Sequence, residues 1–293
     1  MSARVGAQLQ RSSGLQGRIG PRVCLAYAAL DSCLMESLKD QTVALPAGSL
    51  SREEQKRVAA VAAADLVESG MTVGLGSGST AGYFIEELGI RLRDGRLTNV
   101  VGIPTSHITA RQSREAGVTS HELTEHPIDI AVDGADQVDP DLNLIKGAGG
   151  ALLREKLVAS AAETFVVVVD QSKLVPSLGT GAPIPLEVAR FGHRRIMRDL
   201  EVLGIPRLRL NSSHPVTTDN GQVIIDLEVE EISDPVSLDG RLARTPGVLA
   251  TGLFVGLVDL VLVGEDKEVR RIGDRADSMS HHGSAEHDRR PVR

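Results

Sequence analysis

Tryptophan is absent from this 293-residue chain, and Tyr and Phe number only two and four. Aromatic anchors therefore cannot carry the core, which has to be built from Val, Leu, Ile and Ala, as in buried parallel sheets. Cysteine is almost as scarce. Cys24 and Cys33 both lie in the first fifty positions, so the rest of the chain has no disulfide framework and no cysteine metal site, and a reducing compartment is the simple reading. No apolar run approaches the roughly 18 residues that cross a bilayer. Positive charge is in deficit: the formal net charge is -7, which argues against a general nucleic-acid or anionic-membrane surface. A small anionic substrate stays open, because a few local donors can bind a phosphate on an acidic protein. What remains is an ordinary globular composition, 41% hydrophobic and 24% charged, long enough for one large domain or two.

Three textures follow one another. Residues 1–50 are irregular, with Arg4, Arg11, Arg18 and Arg22 and no acidic residue before Asp31. That pattern fits a transit peptide, a disordered extension, or translation from a start placed too far upstream. Cytoplasmic residence is expected, or a plastid if the segment is a transit peptide. The tail, 274–293, is polar and reads as disordered; its His281, His282 and His287 read as solvated rather than as a metal site.

The body begins at a capping box, with Ser51 as N-cap and Glu54 three residues on. Short apolar runs at 71–75, 99–103, 128–132 and 165–169 then alternate with helical patterns near 80–93, 105–116 and 148–163. Strands alternating with helices predict a parallel sheet covered on both faces. From about Pro183 the pattern becomes α+β: a strand at 185–188, a helix at 190–203, two alternating runs within 216–229 around Asp219-Asn220-Gly221, a helix near 236–244 and a strand near 248–254. Asn-Gly between alternating runs predicts a hairpin. The apolar run 257–264 predicts a return to the first sheet. The expected organisation is an α/β main domain over 51–182 and 255–273, a small α+β domain over 183–254, and flanking segments 1–50 and 274–293.

Ligands of open α/β sheets bind beyond the C-terminal ends of the strands. Four polar sets sit there: Gly76-Ser77-Gly78-Ser79-Thr80, Pro104-Thr105-Ser106, Asp133-Gly134-Ala135-Asp136 and Asp170-Gln171-Ser172-Lys173. Each could be turn chemistry; four at one edge read as an active-site rim. The first runs from strand to helix with glycines and hydroxyls, which suits a phosphate. It fits neither the dinucleotide fingerprint nor a Walker loop. Asp133 and Asp136 can accept sugar hydroxyls, share protons or, with Asp139 and Asp141 nearby, hold a cation; their spacing matches no calcium loop. Lys146-Gly147-Ala148-Gly149-Gly150 is a second flexible approach feeding a helix. On that helix Glu155 shares a face with Ala151, Leu152, Val158 and Ala159. It is either a partly desolvated acid–base group with a raised pKa or a surface carboxylate paired with Lys or Arg. Lys173 can neutralise a phosphate or stand solvated. The body's histidines, His107, His121, His126, His193 and His214, fall in no motif.

GLGSGSTA, GIPTS, IDIAVDGADQVDPDLNLIKGAGGALLREK, VVVDQSKLV, PLEV, VTTDNGQVIIDL and PGVLATGLF stand in the order and spacing of one family. Over roughly 52–272 the chain resembles ribose-5-phosphate isomerase of the A type, in phrasing closest to its plant and cyanobacterial branch. The resemblance implies a Rossmann-like domain with helices on both faces plus a smaller α+β domain, assembly into a homodimer or homotetramer, no cofactor and no required metal. It assigns the catalytic base to Glu155, the substrate loop to Lys146, Gly147, Ala148 and Gly149, and the substrate carboxylates to Asp133 and Asp136, flanking Gly134 and Ala135. The sugar-phosphate loop falls on Ser77, Gly78, Ser79 and Thr80, with Lys173 as a further substrate contact. Ser77 stands where many members have Thr, and Ala148 where many have Gly.

The implied reaction interconverts D-ribose 5-phosphate and D-ribulose 5-phosphate through an enediolate. Glu155 moves the proton between C2 and C1, while Asp133, Asp136 and Lys146 orient hydroxyls, assist ring opening and stabilise the oxygen charge. The rivals are an amino-sugar-phosphate isomerase or deaminase, a CoA transferase of similar architecture, and a non-catalytic sugar-phosphate sensor. The segment from Lys146 to Glu155 speaks against the enzymes, and the absence of a paired-helix pattern in 1–50 against the sensor.

Overall fold

A computed structural model describes residues 50–230, 232–266 and 268–273; the expectations for 1–49 and 274–293 lie outside them. Helix α1 (Arg52–Ala64) starts at the predicted box, Ser51 Oγ accepting the Glu54 N–H while the Glu54 carboxylate accepts the Ser51 N–H at 2.8 Å. The chain continues through β1 (Thr72–Leu75), α2 (Ser79–Arg93), β2 (Val101–Pro104), α3 (His107–Ala116), β3 (Thr119–Ser120) and β4 (Ile128–Asp133). Short β5 (Gln137–Val138) and β6 (Leu144–Ile145) lead to α4 (Leu152–Ala161) and β7 (Ala162–Asp170). Then come β8 (Ile184–Val188), α5 (His193–Leu200), β9 (Ile205–Leu208), β10 (Leu210–Asn211), β11 (His214–Pro215), β12 (Val223–Glu228) and α6 (Pro235–Ala243). The last strands are β13 (Val248–Thr251), β14 (Leu253–Phe254), β15 (Leu260–Gly264) and β16 (Val269–Ile272).

The main sheet has the order β16-β15-β7-β4-β1-β2-β3. Its pairings are parallel except β15 with β16, which is antiparallel. The run at 165–169 shows why both faces must be covered. Val166 and Val168 pack with α1 and α2, whereas Phe165, Val167 and Val169 pack with Val158 and Ala159 of α4. Burying each such side chain contributes roughly 1.5–3 kcal/mol. From β1 the chain builds outward to β2 and β3, then crosses back to β4 on the other side of β1. This is the switch point at which an open sheet leaves a crevice between diverging loops. The loops after β1 and β4 are its two walls.

A second, antiparallel sheet has the order β13-β8-β12-β9, with Ile184, Leu186, Val188, Val223, Ile225 and Leu227 in its own apolar cluster. Helix α4 packs against strands of both sheets, so its residues lie where the two meet. The 257–264 run returns to the main sheet as β15, beside β7.

Several boundaries differ from expectation. The helix predicted over 148–163 stops at Ala161, and Ala162 begins β7 with no intervening loop. Tertiary pairing decides this point, since Ala162 pairs with Ile128 of β4. The helix expected at 190–203 is confined to α5, and the strand at 248–254 divides at Gly252, giving β13 and β14 to different sheets. The turn at 218–222 forms, with Gly221 at φ +78°. Its first arm, however, supplies only one bridge, Thr217 to Val223, because β12 pairs with β8 and β9 instead. Among the described residues no helix is long and apolar enough to cross a membrane.

Candidate active site

A cavity of about 200 Å³ lies in the crevice. Ser77, Gly78, Ser79 and Thr80 form one wall; Gly134, Ala135 and Asp136 form the other. Lys146, Gly147, Ala148, Gly149 and Glu155 close it from the α4 side, and Lys173 reaches in from the end of β7. Every residue expected at the site lines it except Asp133, which lies beneath the floor. One liner was not expected: Lys56 of α1. A larger groove of about 880 Å³ opens beside it and shares Ser77, Gly78, Ser79 and Gly149, but it contains neither Lys146 nor Glu155.

The loop after β1 is shaped by close approach. A Cβ on Gly76 would collide with the Asp133 side chain, so only glycine lets the loop pass over that carboxylate. Ser77 donates its N–H to Asp133 Oδ1 at 3.1 Å. Its hydroxyl meets those of Thr105, Ser106 and Thr109 at 2.9, 2.9 and 3.0 Å. Thr105 and Thr109 give their own O–H groups to Leu75 O and Gly76 O, so Ser77 spends its single O–H among these neighbours, donating to Ser106 Oγ. Ser77 thus holds the loop down with its O–H already engaged, while it still lines the cavity. The Thr105-Ser106 set is likewise a support beneath the loop rather than a rim. Gly78, at φ +103°, precedes α2 and offers no side-chain cap, so the first N–H groups of α2 remain available to an anion. Lys56 Nζ stands 3.2 Å from Ser79 Oγ and 2.7 Å from Glu53. Lys173 is delivered by a short 3₁₀ turn that Asp170 caps through the Ser172 N–H at 3.0 Å.

Under the opposite wall lies a buried triad of charges. Lys146 Nζ donates to Gly134 O at 2.6 Å and pairs with Asp133 Oδ2 at 2.9 Å and Glu155 Oε2 at 3.4 Å. Lys146 is 3% exposed and Glu155 5%. The expected face of α4 explains the latter: Leu152, Val158 and Ala159 around Glu155 are all buried. Burial pushes the Glu155 carboxyl up to about 8, against the opposing pull of Lys146. Burial also raises Asp133, less the help of Lys146 and of the Gly134 and Ser77 N–H groups. Burial works against the Lys146 ammonium, yet Asp133 and Glu155 hold it above the ordinary lysine range. Asp133 collects the Ser77 N–H, the Gly134 N–H and the ammonium, whereas Glu155 Oε2 has no aligned hydrogen bond. Asp133 is therefore the better served of the two carboxyls, although burial still raises it. Glu155 is the carboxyl that can take up and release a proton near neutrality.

The loop from Lys146 to Gly150 is staked at each end. The Lys146 N–H bonds Gly252 O at 2.8 Å and the Gly150 N–H bonds Gly147 O at 3.0 Å. The Ala148 N–H bonds Asp136 Oδ2 at 2.9 Å. Ala148 is exposed and lines the cavity. The cation site considered for Asp139 and Asp141 is turn chemistry, since Asp139 accepts from the Asp141 N–H and from Asn143. Among the described residues no group of three or more His, Cys, Asp or Glu is placed to hold a metal ion.

Comparison with known proteins agrees with this geometry. The sequence profile of ribose 5-phosphate isomerase A (phosphoriboisomerase A) matches residues 101–268. Ribose-5-phosphate isomerase A of Thermosynechococcus vestitus is 48% identical over 217 residues, which is 73% of this chain and 92% of that one. The Thermococcus kodakarensis protein of the same name is 45% identical over 224 residues, 75% and 98% of the two chains. A D-ribose-5-phosphate isomerase solved in complex with phospho-erythronic acid superposes with a TM-score of 0.74 at 40% identity, covering 77% of this chain and all of that one. The ribose 5-phosphate isomerase of Plasmodium falciparum gives a TM-score of 0.74 at 36% identity, covering 76% and 99%. On sequence, fold and the contents of the crevice alike, the chain belongs to the ribose 5-phosphate isomerase A family.

Proposed function

We propose that this crevice interconverts D-ribose 5-phosphate and D-ribulose 5-phosphate by proton transfer through an enediolate. One observation carries the reading: a buried carboxyl, Glu155, stands beside a buried ammonium, Lys146, on the wall of a cavity whose far end is built for an anion. A base poised near neutrality removes the C2 proton of the open-chain aldose and returns it to C1. The ammonium, held charged by Asp133, stabilises the oxygen that gains charge as the enediolate forms. Asp133 acts through Lys146 rather than on the sugar, and Asp136 faces the cavity as the hydroxyl acceptor. The first N–H groups of α2, with Lys56 and Lys173, hold the phosphate, whose binding energy is remote from the reacting carbons. The ligand of the solved relative fits this scheme, because its carboxylate resembles a planar enediolate and its phosphate is shared with the substrate. By family the working form is a homodimer or homotetramer in the cytoplasm, and sedimentation would give the assembly.

The test is conversion of ribose 5-phosphate to ribulose 5-phosphate with EDTA present, for wild type and Glu155→Gln. Turnover by wild type that largely disappears in the variant supports reaction and base together. A folded but inactive wild type would sink the substrate assignment. Near-normal turnover by the variant would leave the reaction standing and remove Glu155 as its base.

A further inference from the structure

We infer that Arg209, just beyond the edge strand of the second sheet, is a positioning residue for the isomerisation: it grips the carbonyls of Gly147 and Ala148 and so aims the Gly149 N–H into the cavity. The inference rests on the isomerase reading above and adds to it a residue some sixty positions away in sequence. Arg209 follows β9 directly. One of its terminal nitrogens donates to Gly147 O and to Ala148 O, both at 2.9 Å. Nε donates to Asp226 Oδ2 at 2.8 Å, and the other terminal nitrogen donates to Asp226 Oδ1. The two-point pair with Asp226, on the neighbouring strand β12, fixes the guanidinium plane. That leaves the remaining fork of N–H groups turned to the loop.

A trans peptide is planar, with its C=O and N–H pointing opposite ways. Holding the Gly147 carbonyl therefore sends the Ala148 N–H to the other side, where it finds Asp136 Oδ2 at 2.9 Å. Holding the Ala148 carbonyl does the same to the Gly149 N–H, and Gly149 lines the cavity that Lys146 and Glu155 also line. The loop needs such a restraint. Gly147 sits at φ +107° and Gly150 at φ +79°, and a glycine-rich segment left free loses its geometry to many accessible conformers. A donor fixed before the charge develops costs no reorganisation at the moment of reaction. Arg209 provides that fixity from the second sheet, so the two sheets share the site through this side chain as well as through α4.

The rival explanation is that Arg209 only neutralises Asp226. Arg209→Lys separates the two, because an ammonium still balances Asp226 but lacks the planar fork that reaches two carbonyls and a carboxylate at once. The expected result in Arg209→Lys is a kcat lowered about tenfold or more. The KM for ribose 5-phosphate should move much less, and affinity for phospho-erythronate should fall in parallel with kcat. In Arg209→Ala, millimolar guanidinium should restore part of the turnover. A folded Arg209→Lys with wild-type kcat and wild-type inhibitor affinity would overturn the inference. So would losses in both variants that merely track the fraction of folded protein, with no rescue. Wild type that fails to convert ribose 5-phosphate would instead sink the isomerase reading, so the two failures are distinguishable.

Discussion

The Lys146 ammonium lies 3.4 Å from the Glu155 carboxylate with no aligned hydrogen bond between them, while its closer contact, at 2.9 Å, is to Asp133. One buried cation thus serves two buried carboxyls unequally. The better-served one, Asp133, is the nearer partner of the lysine and helps hold it charged. The other is left near its own titration point, facing the cavity. Acid–base competence here comes from an imbalance of donors around two groups of the same chemical type.

Turnover should follow that imbalance. Removing the base as Glu155→Gln is expected to lower kcat by at least the 10²–10⁴-fold typical of general acid–base catalysis, with the phosphate end of the site untouched. In wild type the base must be ionised to act. kcat/KM should therefore fall as pH drops through about 8, the value to which burial raises Glu155. A pH–rate profile flat from 6 to 9 would contradict this assignment.

The same shift has a thermodynamic side. Between the ordinary glutamate value of 4.5 and about 8, the folded protein keeps a proton on Glu155 that the unfolded chain has released. A raised carboxyl stabilises the fold fully below its unfolded value, and that contribution is lost as pH rises through the folded one. Stability should therefore decline across this window, by on the order of 1 kcal/mol per pH unit. Glu155→Gln cannot ionise, so its advantage over wild type in urea unfolding should grow from pH 5 to pH 8. Parallel curves for the two proteins would mean that Glu155 titrates normally.

Much of the site was legible because an open α/β sheet fixes where to look. Ser77 to Thr80, Asp133 to Asp136 and Lys146 to Gly149 all lie at or just beyond strand ends, and their residue types announce themselves. Lys56 and Arg209 carry no such sign. Each is one basic residue among many, on a helix or beyond an edge strand, and only tertiary packing brings it to the crevice. Ser77 lines the cavity, but nothing in the sequence signals that its hydroxyl meets those of Thr105, Ser106 and Thr109, which come from the next strand-to-helix turn. The junction at Ala161 and Ala162 was unreadable for a related reason: an unbroken run of small and apolar residues contains no stop signal, and the pairing of β7 with β4 sets the boundary.

Lys56 is a direct test of the anion end. Its ammonium touches Ser79 at the start of α2 and lines the cavity, where a phosphate would also meet the helix N–H groups. A hydrogen bond to a charged partner contributes about 1.5–3 kcal/mol. Lys56→Ala should therefore cost roughly 10- to 100-fold in kcat/KM, carried mainly by KM. Competitive inhibition by inorganic phosphate should weaken alongside. An unchanged KM would detach Lys56 from the substrate and leave it as the partner of Glu53.

Removing the shared cation tests the whole arrangement. In Lys146→Met the chain keeps a side chain of similar length, but Asp133 and Glu155 are left as two buried carboxyls with no counter-charge. Breaking a buried pair in this way costs about 3–5 kcal/mol. The penalty should depend on pH, because each carboxyl can escape it by staying protonated. At pH 5 the variant should approach wild type, whereas by pH 8 the unfolded state gains from ionising both groups and the folded state does not. Adding Glu155→Gln removes one of the two charges that must be suppressed, so the double variant should be more stable at pH 8 than Lys146→Met alone. A stability loss independent of pH, or a double variant no better than the single one, would show that Lys146 serves by packing against Phe254, 5.5 Å from its ammonium, and that its charge is incidental.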